Sequence, residues 1–272
     1  MDRIYVSSQF NIRLHSATAP EWKITPHSDY TLFYLLEGNV QARFNERNSL
    51  LGPGCLLLFD PNRSASIGGK HGTGLKISIS PSYLIDAAVR IRLLGSGKIV
   101  SFRVEQDCGN PRVERIMRDL ADEISFEHAG KEALIGALIE QLTIYLVRNY
   151  SVIRMSDQLE LSRVGIVDRR VRRAVELMEA HLDRDLPLSE LAAAAYLSAF
   201  HFSRLFKKVM GTSPHAYLAG LRASRAQVLL SESDLSVTEI ATRVGYTSSS
   251  HFTKAFRDAT GLSPTAFRKA LV

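Results

Sequence analysis

Two stretches fifty residues apart carry nearly the same letters, HFSRLFK at residues 201–207 and HFTKAFR at residues 251–257. The likeness extends on both sides of each stretch: LSELA at 188–192 matches VTEIA at 237–241, and GTSPHAY at 211–217 matches GLSPTAF at 261–267. Self-similarity at a fixed period indicates a repeated supersecondary unit. The C-terminal third therefore contains one unit twice, as a first repeat (187–217) and a second repeat (236–267).

The pattern within each repeat is helix, turn, helix, stop, helix. In the shared endings glycine supplies the left-handed residue that ends a helix, serine caps the next helix, and proline occupies its first turn. In the second repeat, SVTE at 236–239 has the spacing of a capping box, and Gly245 suits the sharp turn of a helix-turn-helix. The first repeat has Pro187 and Tyr196 at these positions. A non-glycine residue at positive φ costs about 1 kcal/mol or more, so we expect different geometry or strain in the first turn.

The second helix of each repeat has an apolar face and a basic face. Phe202, Leu205, Phe206 and Val209 recur at helical spacing, as do the matching residues between 252 and 259, and these positions predict core. Hydroxyl, guanidinium and ammonium groups on the other face can reach base edges and phosphates in a major groove. The candidate DNA contacts are Phe200, Ser203, Arg204, Lys207, Ser249, Ser250, Thr253, Lys254 and Arg257. A solvated surface explains one such helix equally well, but the same basic pattern in two copies favours DNA.

Charge and composition agree with this interpretation. Residues 166–272 carry 15 Lys and Arg against 10 Asp and Glu, whereas residues 1–165 carry 19 against 18. Clustered positive charge is typical of a nucleic-acid binder. Two cysteines are too few for a disulfide framework, no signal peptide is evident, and charge interrupts the most apolar stretch, at 134–147. We therefore expect a reduced, cytoplasmic protein without a transmembrane segment.

The first hundred residues predict short β-strands that form a small barrel or sandwich. Residues 30–36 and 40–44 flank the turn residues Glu37-Gly38-Asn39, which predicts a hairpin, and a second turn at 52–54 precedes the apolar run 55–59. Strand alternation separates Tyr30, Leu32 and Tyr34 from Thr31, Phe33 and Leu35, but leaves open which set points inward.

Helical spacing replaces the strand pattern from residue 111. Residues 111–124 and 131–148 predict a helical hairpin, whose second helix is apolar on more than one face. Either a partner subunit covers the additional apolar face of that helix, or the hairpin only caps its own barrel. Residues 151–166 have the mixed polar composition of an interdomain linker.

The doubled repeat, the bridging stretch at 221–230 and the ending GLSPTAFR at 261–268 resemble the DNA-binding domain of the AraC/XylS family of bacterial transcription regulators over about residues 168–272. The resemblance implies an α+β multidomain protein. Its parts are a cupin-like, effector-binding β-barrel at 1–108, a dimerising helical hairpin with linker at 109–165, and an all-α DNA-binding domain with two helix-turn-helix units at 166–272. It also implies a helix over about 215–230 that joins the two units, and recognition helices in successive major grooves about 34 Å apart.

The implied function is sequence-specific transcription regulation, more commonly activation than repression, under control of a small organic effector. The implied partners are double-stranded DNA, RNA polymerase and a second copy bound through the 111–150 helices. Apolar pockets with a few polar groups hold such effectors, and our candidate contacts are His27, Tyr30, Tyr34 and Arg43.

Cofactor and enzyme alternatives lack their chemistry in this sequence. A metal-binding cupin uses a His-x-His pair, a glutamate and a later histidine, whereas the chain offers one histidine and one carboxylate at 27–29 and an isolated His71. An alkyl-acceptor fusion requires an activated thiolate, and Cys55 and Cys108 stand apart in the sequence. We therefore expect no metal, no cofactor and no catalytic residue. A regulator controlled by a protein partner or by its expression level, without a small molecule, remains open.

Overall fold

The computed structural model describes residues 2–7, 9–27, 29–44, 47–93, 98–103, 105–155, 169–210 and 212–272. These residues divide into two compact bodies. The N-terminal body holds residues 2–24, 29–155 and 270–272, and the C-terminal body holds residues 25–27 and 169–269.

The N-terminal body is built on antiparallel sheets. Its strands are β1 (Asp2–Val6), β2 (Phe10–Ala17), β3 (Glu21–Ile24), β4 (Tyr30–Phe44), β5 (Arg47–Leu51), β6 (Cys55–Phe59), β7 (Ala65–Ile79), β8 (Lys98–Phe102), β9 (Gln106–Cys108) and β10 (Ser151–Met155). One sheet has the order β1-β2-β7-β4-β6-β9, with β3 added on β7 and β5 on β4. β8 and β10 form a separate two-stranded sheet.

The predicted hairpin at Glu37-Gly38-Asn39 is wrong, because these residues continue β4. Its pairing with β7 runs from Tyr30 to Arg43, and the register shifts on either side of Gly38. Gly38 has φ 88°, and a Cβ there would lie 2.4 Å from the carbonyl oxygen of His71. Only glycine fits such a bulge, which bends the strand and increases its twist. The turn-forming residues therefore bend one long strand instead of reversing the chain.

The two faces of β4 enter different cores, which resolves the open question of strand alternation. Phe33 and Leu35 lie in a cluster made of sheet residues alone, together with Trp22 and Leu57. Tyr30, Leu32 and Tyr34 lie in the cluster that packs the sheet against three helices, α1 (Pro81–Arg90), α2 (Pro111–Ser125) and α3 (Lys131–Tyr150). The inner face of the folded sheet is thus the Phe33 face.

The predicted helical hairpin is confirmed by α2 and α3. Asn110 caps α2, since its side chain accepts hydrogen bonds from the backbone N–H groups of Arg112 (3.1 Å) and Val113 (3.3 Å). Residues 151–155, which we placed in a linker, instead form β10, because they pair with β8. The remaining linker residues, 156–166, lie outside the described residues.

The two cysteines do not stand apart in space. Cys55 on β6 and Cys108 on β9 are cross-strand partners and form a disulfide. They are 53 residues apart in sequence, but strand pairing brings their Cα atoms to 4.0 Å. The expectation of two solitary, reduced cysteines is therefore wrong.

The C-terminal body is helical, as the repeat predicts. Its helices are α4 (Arg169–Ala180), α5 (Leu188–Ala194), α6 (Ala199–Met210), α7 (Pro214–Glu232), α8 (Val237–Arg243), α9 (Ser249–Thr260) and α10 (Pro264–Ala270). The pairs α5–α6 and α8–α9 are the two helix-turn-helix units, and α7 is the connecting helix expected over about 215–230.

Each repeat has the same aromatic core. Phe206 lies 5.5 Å from Phe202 and 5.6 Å from Tyr217, as measured between ring centroids. The matching distances from Phe256 in the second repeat are 5.6 Å to Phe252 and 5.3 Å to Phe267. The predicted core phenylalanines of both repeats are buried. Burial of these rings fixes which face of α6 and of α9 points outward.

Candidate nucleic-acid interface

The turns before the two recognition helices have the same backbone form but different residues. Gly245 has φ 78°, and Tyr196, its counterpart, has φ 56°. The expected strain in the first turn is confirmed, because a tyrosine occupies left-handed space. The Tyr196 ring is 79% exposed, and the Arg173 guanidinium lies 5.0 Å from its centroid.

A serine caps each recognition helix. The side chain of Ser198 accepts a hydrogen bond from the N–H of His201, and that of Ser248 accepts one from the N–H of His251, both at 3.4 Å. Each cap fixes the first turn of its helix, which is the part that contacts base edges in helix-turn-helix complexes.

The four predicted contacts on α6 lie on one helix face, since they are spaced i, i+3, i+4 and i+7. Phe200 is 66% exposed, and Arg204 and Lys207 are also exposed, whereas Ser203 is half-buried. The Arg204 guanidinium carbon lies 5.7 Å from the Phe200 ring centroid. The outer face of α6 thus combines a large apolar ring with a cation placed over it.

The outer face of α9 is polar. Ser250, Lys254 and Arg257 are exposed, and Ser249 and Thr253 are half-buried. Ser249 donates a hydrogen bond from Oγ to Thr238 Oγ1 at 3.2 Å, which ties the start of α9 to α8. The structure therefore places all nine predicted contacts on α6 and α9, with an aromatic ring only on α6.

One glutamate in each repeat, at matched positions, has a lowered pKa for a different reason. In the second repeat Glu239 accepts a hydrogen bond from the Ser236 N–H at 2.7 Å, and the Ser236 side chain accepts from the Glu239 N–H at 3.2 Å. These hydrogen bonds lower the pKa of Glu239 and confirm the predicted capping box. In the first repeat Glu190 accepts from the Arg184 guanidinium, which lowers the pKa of Glu190.

Sequence reasoning missed Arg222, which lies on α7 between the repeats. This arginine is 8% exposed, and it donates hydrogen bonds to two backbone carbonyls in the α4–α5 loop. Its position on a helix that is apolar on several sides was the only available signal, because its carbonyl partners are about forty residues away in the sequence.

The four candidate effector contacts are not brought together. Tyr30 donates a hydrogen bond from its hydroxyl to Val100 O at 2.7 Å, and burial raises its pKa. Tyr34 shares that face of β4, and burial raises its pKa to about 12. Arg43 is exposed and donates to Asn48 Oδ1 at 3.3 Å. His27 Nδ1 lies 2.7 Å from the carbonyl oxygen of Thr25, outside that cluster.

Three further observations bear on other kinds of site. Within the described residues, no group of three or more His, Cys, Asp or Glu side chains could hold a metal ion. The disulfide engages both cysteines, so neither offers the free thiolate that an alkyl acceptor uses. In the part of the chain that the structure describes, no helix is both long and apolar enough to cross a bilayer.

Comparison with known proteins gives two family matches. The AraC-like ligand binding domain family matches residues 9–143, and a helix-turn-helix domain family matches residues 191–270. Together the two matches cover most of both bodies.

Individual relatives are regulators. The regulatory protein PocR of Salmonella typhimurium is 38% identical over 79 residues, which are 29% of this chain and 26% of PocR. The HTH-type transcriptional regulator YbfI of Bacillus subtilis is 27% identical over 211 residues, 76% of this chain and 72% of YbfI. The chain thus spans about a quarter of the first relative and most of the second.

Solved structures extend the likeness to the whole fold. ToxT from Vibrio cholerae superposes with a TM-score of 0.64 at 13% identity, covering 98% of this chain and 99% of ToxT. A ToxT structure with a bound unsaturated fatty acid has a TM-score of 0.63 at 12% identity, covering 98% of this chain and 97% of that one. At these identities the likeness shows a common fold.

Proposed function

We infer that this chain, which belongs to the AraC family of transcription regulators, reads duplex DNA through the outer faces of α6 and α9. One observation carries the proposal: each helix presents an exposed, basic stripe, Arg204 and Lys207 on one and Lys254 and Arg257 on the other. The aromatic cores hold both stripes outward. Each helix then enters a major groove, and the two grooves lie about 34 Å apart on one face of the duplex.

The two helices read different chemistry. Phe200 offers apolar contact to a thymine methyl group, and the Arg204 guanidinium above its ring pairs with O6 and N7 of a guanine. Ser250, Thr253 and Lys254 on α9 offer hydroxyl and ammonium groups to base edges and phosphates. We therefore propose that α6 recognises a thymine next to a guanine, and that α9 reads a more polar pattern.

The first experiment titrates the full chain against the duplex upstream of its own and neighbouring genes, at two salt concentrations and with scrambled competitor. Binding that weakens with salt yet survives competitor is expected for a specific regulator. Complete loss to competitor contradicts sequence-specific reading.

A second experiment removes a single methyl group by replacing thymine with uracil in the α6 subsite. The wild-type protein should lose about fourfold in affinity, the value of one buried methyl group. Phe200→Ala should not distinguish the two duplexes, whereas Ser250→Ala, the matched position on α9, should still do so. Equal sensitivity in both variants contradicts the role of Phe200.

Substitutions of Arg204 and Lys208 distinguish base recognition from phosphate binding. Arg204→Ala should relax base choice at one position by about 1–3 kcal/mol. Lys208, which is exposed on α6, serves as the phosphate control, and Lys208→Ala should weaken all sequences equally. A uniform loss in both variants removes Arg204 as a base reader.

For the N-terminal body we propose a small organic effector, with Tyr30, Tyr34 and Arg43 as the contacts to test by substitution. His27, the fourth candidate, lies in the C-terminal body and is tested separately. Trp22 provides an intrinsic probe because it is the only tryptophan in the sequence and is 2% exposed in the inner cluster. Its indole N–H is buried and has no hydrogen-bond partner among the described residues, so a polar effector group in the inner cluster would find a donor there. Trp22 and the two tyrosines lie in different clusters, so substitutions at Tyr30 and Tyr34 test the other face of β4.

Binding should change Trp22 fluorescence and raise the melting temperature of the full chain. The panel should include an unsaturated fatty acid, the ligand in one ToxT structure. A panel without any stabilising compound favours the second candidate, control by a protein partner or by expression level.

We also propose that the chain acts in the bacterial cytoplasm as a homodimer and activates transcription by contacting RNA polymerase. The proposed dimer surface is the outer side of α3, where Leu134 is 48% exposed and a groove of about 490 Å³ passes Ile144 and Tyr145. Leu134→Glu should halve the mass measured by light scattering. Leu50→Glu, at another exposed leucine, should leave that mass unchanged.

The effect on transcription is a separate question. Transcription in vitro with purified polymerase distinguishes activation from repression.

A further inference from the structure

Three segments of the C-terminal body meet at the guanidinium group of Arg222. The group donates from Nε to Leu182 O at 3.2 Å and from Nη2 to Arg184 O at 2.6 Å. Its central carbon lies 5.1 Å from the ring centroid of Tyr246. The two carbonyls belong to the α4–α5 loop, and Tyr246 belongs to the turn that leads into α9. One side chain on α7 therefore contacts a loop next to the first repeat and the turn of the second.

The loop and the turn also touch each other directly. A Cβ at Gly245 would lie 2.3 Å from Leu182 O and 2.6 Å from Arg222 Nη2. The two backbones are therefore too close for a side chain at this position. The positive φ of Gly245 is a second reason why only glycine fits. At the equivalent place in the first repeat Tyr196 is 79% exposed, so this residue does not make a close backbone approach like that of Gly245.

The α4–α5 loop is connected to the first recognition helix, because α4 shares a core with α6. Val171, Val175 and Met178 of α4 lie in one cluster with Leu191 of α5 and Phe206 of α6. The hydrogen bonds from Arg222 to the loop therefore also restrain α6. The contact of the same guanidinium with Tyr246 restrains the turn before α9, so Arg222 couples the positions of the two recognition helices.

The buried guanidinium of Arg222 requires hydrogen-bond partners in fixed positions. A buried guanidinium is costly unless its donors are paired, and the partners here are carbonyls beyond the C-terminal, negative end of the α4 dipole. Removal of the guanidinium leaves Leu182 O and Arg184 O without this donor. A second arginine uses the same chemistry at the ends of the second repeat, where Arg268 Nη2 on α10 donates to Leu235 O, just before α8, at 2.6 Å.

We propose that Arg222 is a positioning residue that sets the distance and angle between α6 and α9, and so the number of base pairs between the two DNA subsites. Arg222 is 8% exposed, so we assign it no direct contact with DNA. This inference rests on the proposed function, in which both helices enter the duplex. One added base pair moves a subsite by about 3.4 Å and rotates it by about 35°. A rigid pair of helices accepts one spacing, and a loosened pair accepts several.

The test uses the full chain and a set of duplexes in which one or two base pairs are inserted or removed between the subsites. The wild-type protein should bind the native spacing about tenfold or more tightly than its neighbours. Arg222→Met keeps the length and the apolar stem of the side chain and removes the guanidinium. Its affinity for the native spacing should fall, and its penalty for one extra base pair should shrink to about threefold or less.

Two controls separate positioning from loss of stability and loss of charge. Arg268→Met breaks the same type of hydrogen bond between α10 and the loop before α8, and it should retain the wild-type spacing preference. Arg225→Met removes an exposed cation from α7 and should lower the affinity for every spacing by the same factor, if it changes affinity at all.

The possible results separate the proposed function from the role of Arg222. A wild-type protein that binds no duplex overturns the proposed function, whereas wild-type binding that ignores spacing overturns only this inference. A folded Arg222→Met variant with the wild-type preference, or equal broadening in Arg268→Met, also overturns it. If Arg222→Met does not fold, Arg222→Lys takes its place, because it keeps the charge and lacks the guanidinium fork that reaches both carbonyls. Its penalty for one extra base pair should be smaller than that of the wild-type protein. A wild-type preference in Arg222→Lys would overturn the inference.

Discussion

The two repeats have the same backbone fold, but different interactions stabilise it. In the second repeat α8 begins with the Ser236 capping box, and its turn has glycine at φ 78°. In the first repeat α5 begins at Pro187 without a side-chain cap, and its turn has Tyr196 at φ 56°. Local hydrogen bonds and a favourable backbone hold the second recognition helix. The first repeat lacks both features, and its helices share one buried core with α4. Equal folds therefore do not imply equal sources of stability.

The matched glutamates extend this contrast. Glu239 bonds the backbone of its own helix start, whereas Glu190 forms an exposed ion pair with Arg184. The first kind of interaction is short-range and local, and the second is weakened by salt. The two repeats should therefore respond differently to the same change in conditions.

A substitution in the second turn should destabilise the protein most. Gly245→Ala combines a left-handed alanine with a Cβ 2.3 Å from Leu182 O, so we expect a loss of roughly 3 kcal/mol or more. Tyr196→Ala, the matched change, should cost less than about 1 kcal/mol, because the ring is exposed. Hydrogen-exchange mass spectrometry on the full chain reads the stability of α9 and α6 separately. Similar losses in both helices would contradict the contrast.

The next effect concerns the helix starts. Ser236→Ala removes the capping box and should destabilise α8 by about 1 kcal/mol, seen as faster amide exchange over 237–243. Pro187→Ala removes no side-chain cap and should leave α5 within about 0.5 kcal/mol. A larger loss at Pro187 would mean that the proline itself supports the first repeat.

A smaller change should act in the opposite direction. Tyr196→Gly relieves about 1–2 kcal/mol of left-handed strain, but glycine loses about 0.5–1 kcal/mol more backbone entropy on folding. We therefore expect a net gain of about 0.5 kcal/mol, measured as slower exchange in α5 and α6. A loss would show that the contact between Arg173 and the Tyr196 ring outweighs the strain.

The smallest effects are those of pH and salt on the two glutamates. Both folded pKa values lie below the ordinary value of 4.5. Their stabilising contributions are therefore complete above that pH and are lost as pH falls through the lowered pKa of each group. Raising salt to about 1 M should speed exchange in α5, where the Arg184 pair is screened, and leave α8 unchanged. Equal responses would mean that the ion pair adds nothing to the first repeat.

The features that the sequence predicted correctly are those set by neighbouring residues. Periodicity, cap residues and the repeat place α6, α9 and the start of α7, and they predict both outer faces, whereas the length of α7 follows from the family resemblance. The features that it missed depend on distant partners. Gly38 continues a strand because β7 lies beside it, and Cys55 meets Cys108 through strand pairing. Arg222 likewise depends on carbonyls in another loop. The effector contacts stay open for the same reason, because alternation gives two faces but not what covers each one.

The Cys55–Cys108 disulfide has a practical consequence for handling the protein. It closes a covalent ring that includes β6, β7, α1, β8 and β9. A protease that cuts the backbone once inside this ring releases no fragment until a reductant is added. A single full-length band on a non-reducing gel therefore does not show that the chain is uncut, and every proteolytic map of the N-terminal body requires a reduced lane beside it.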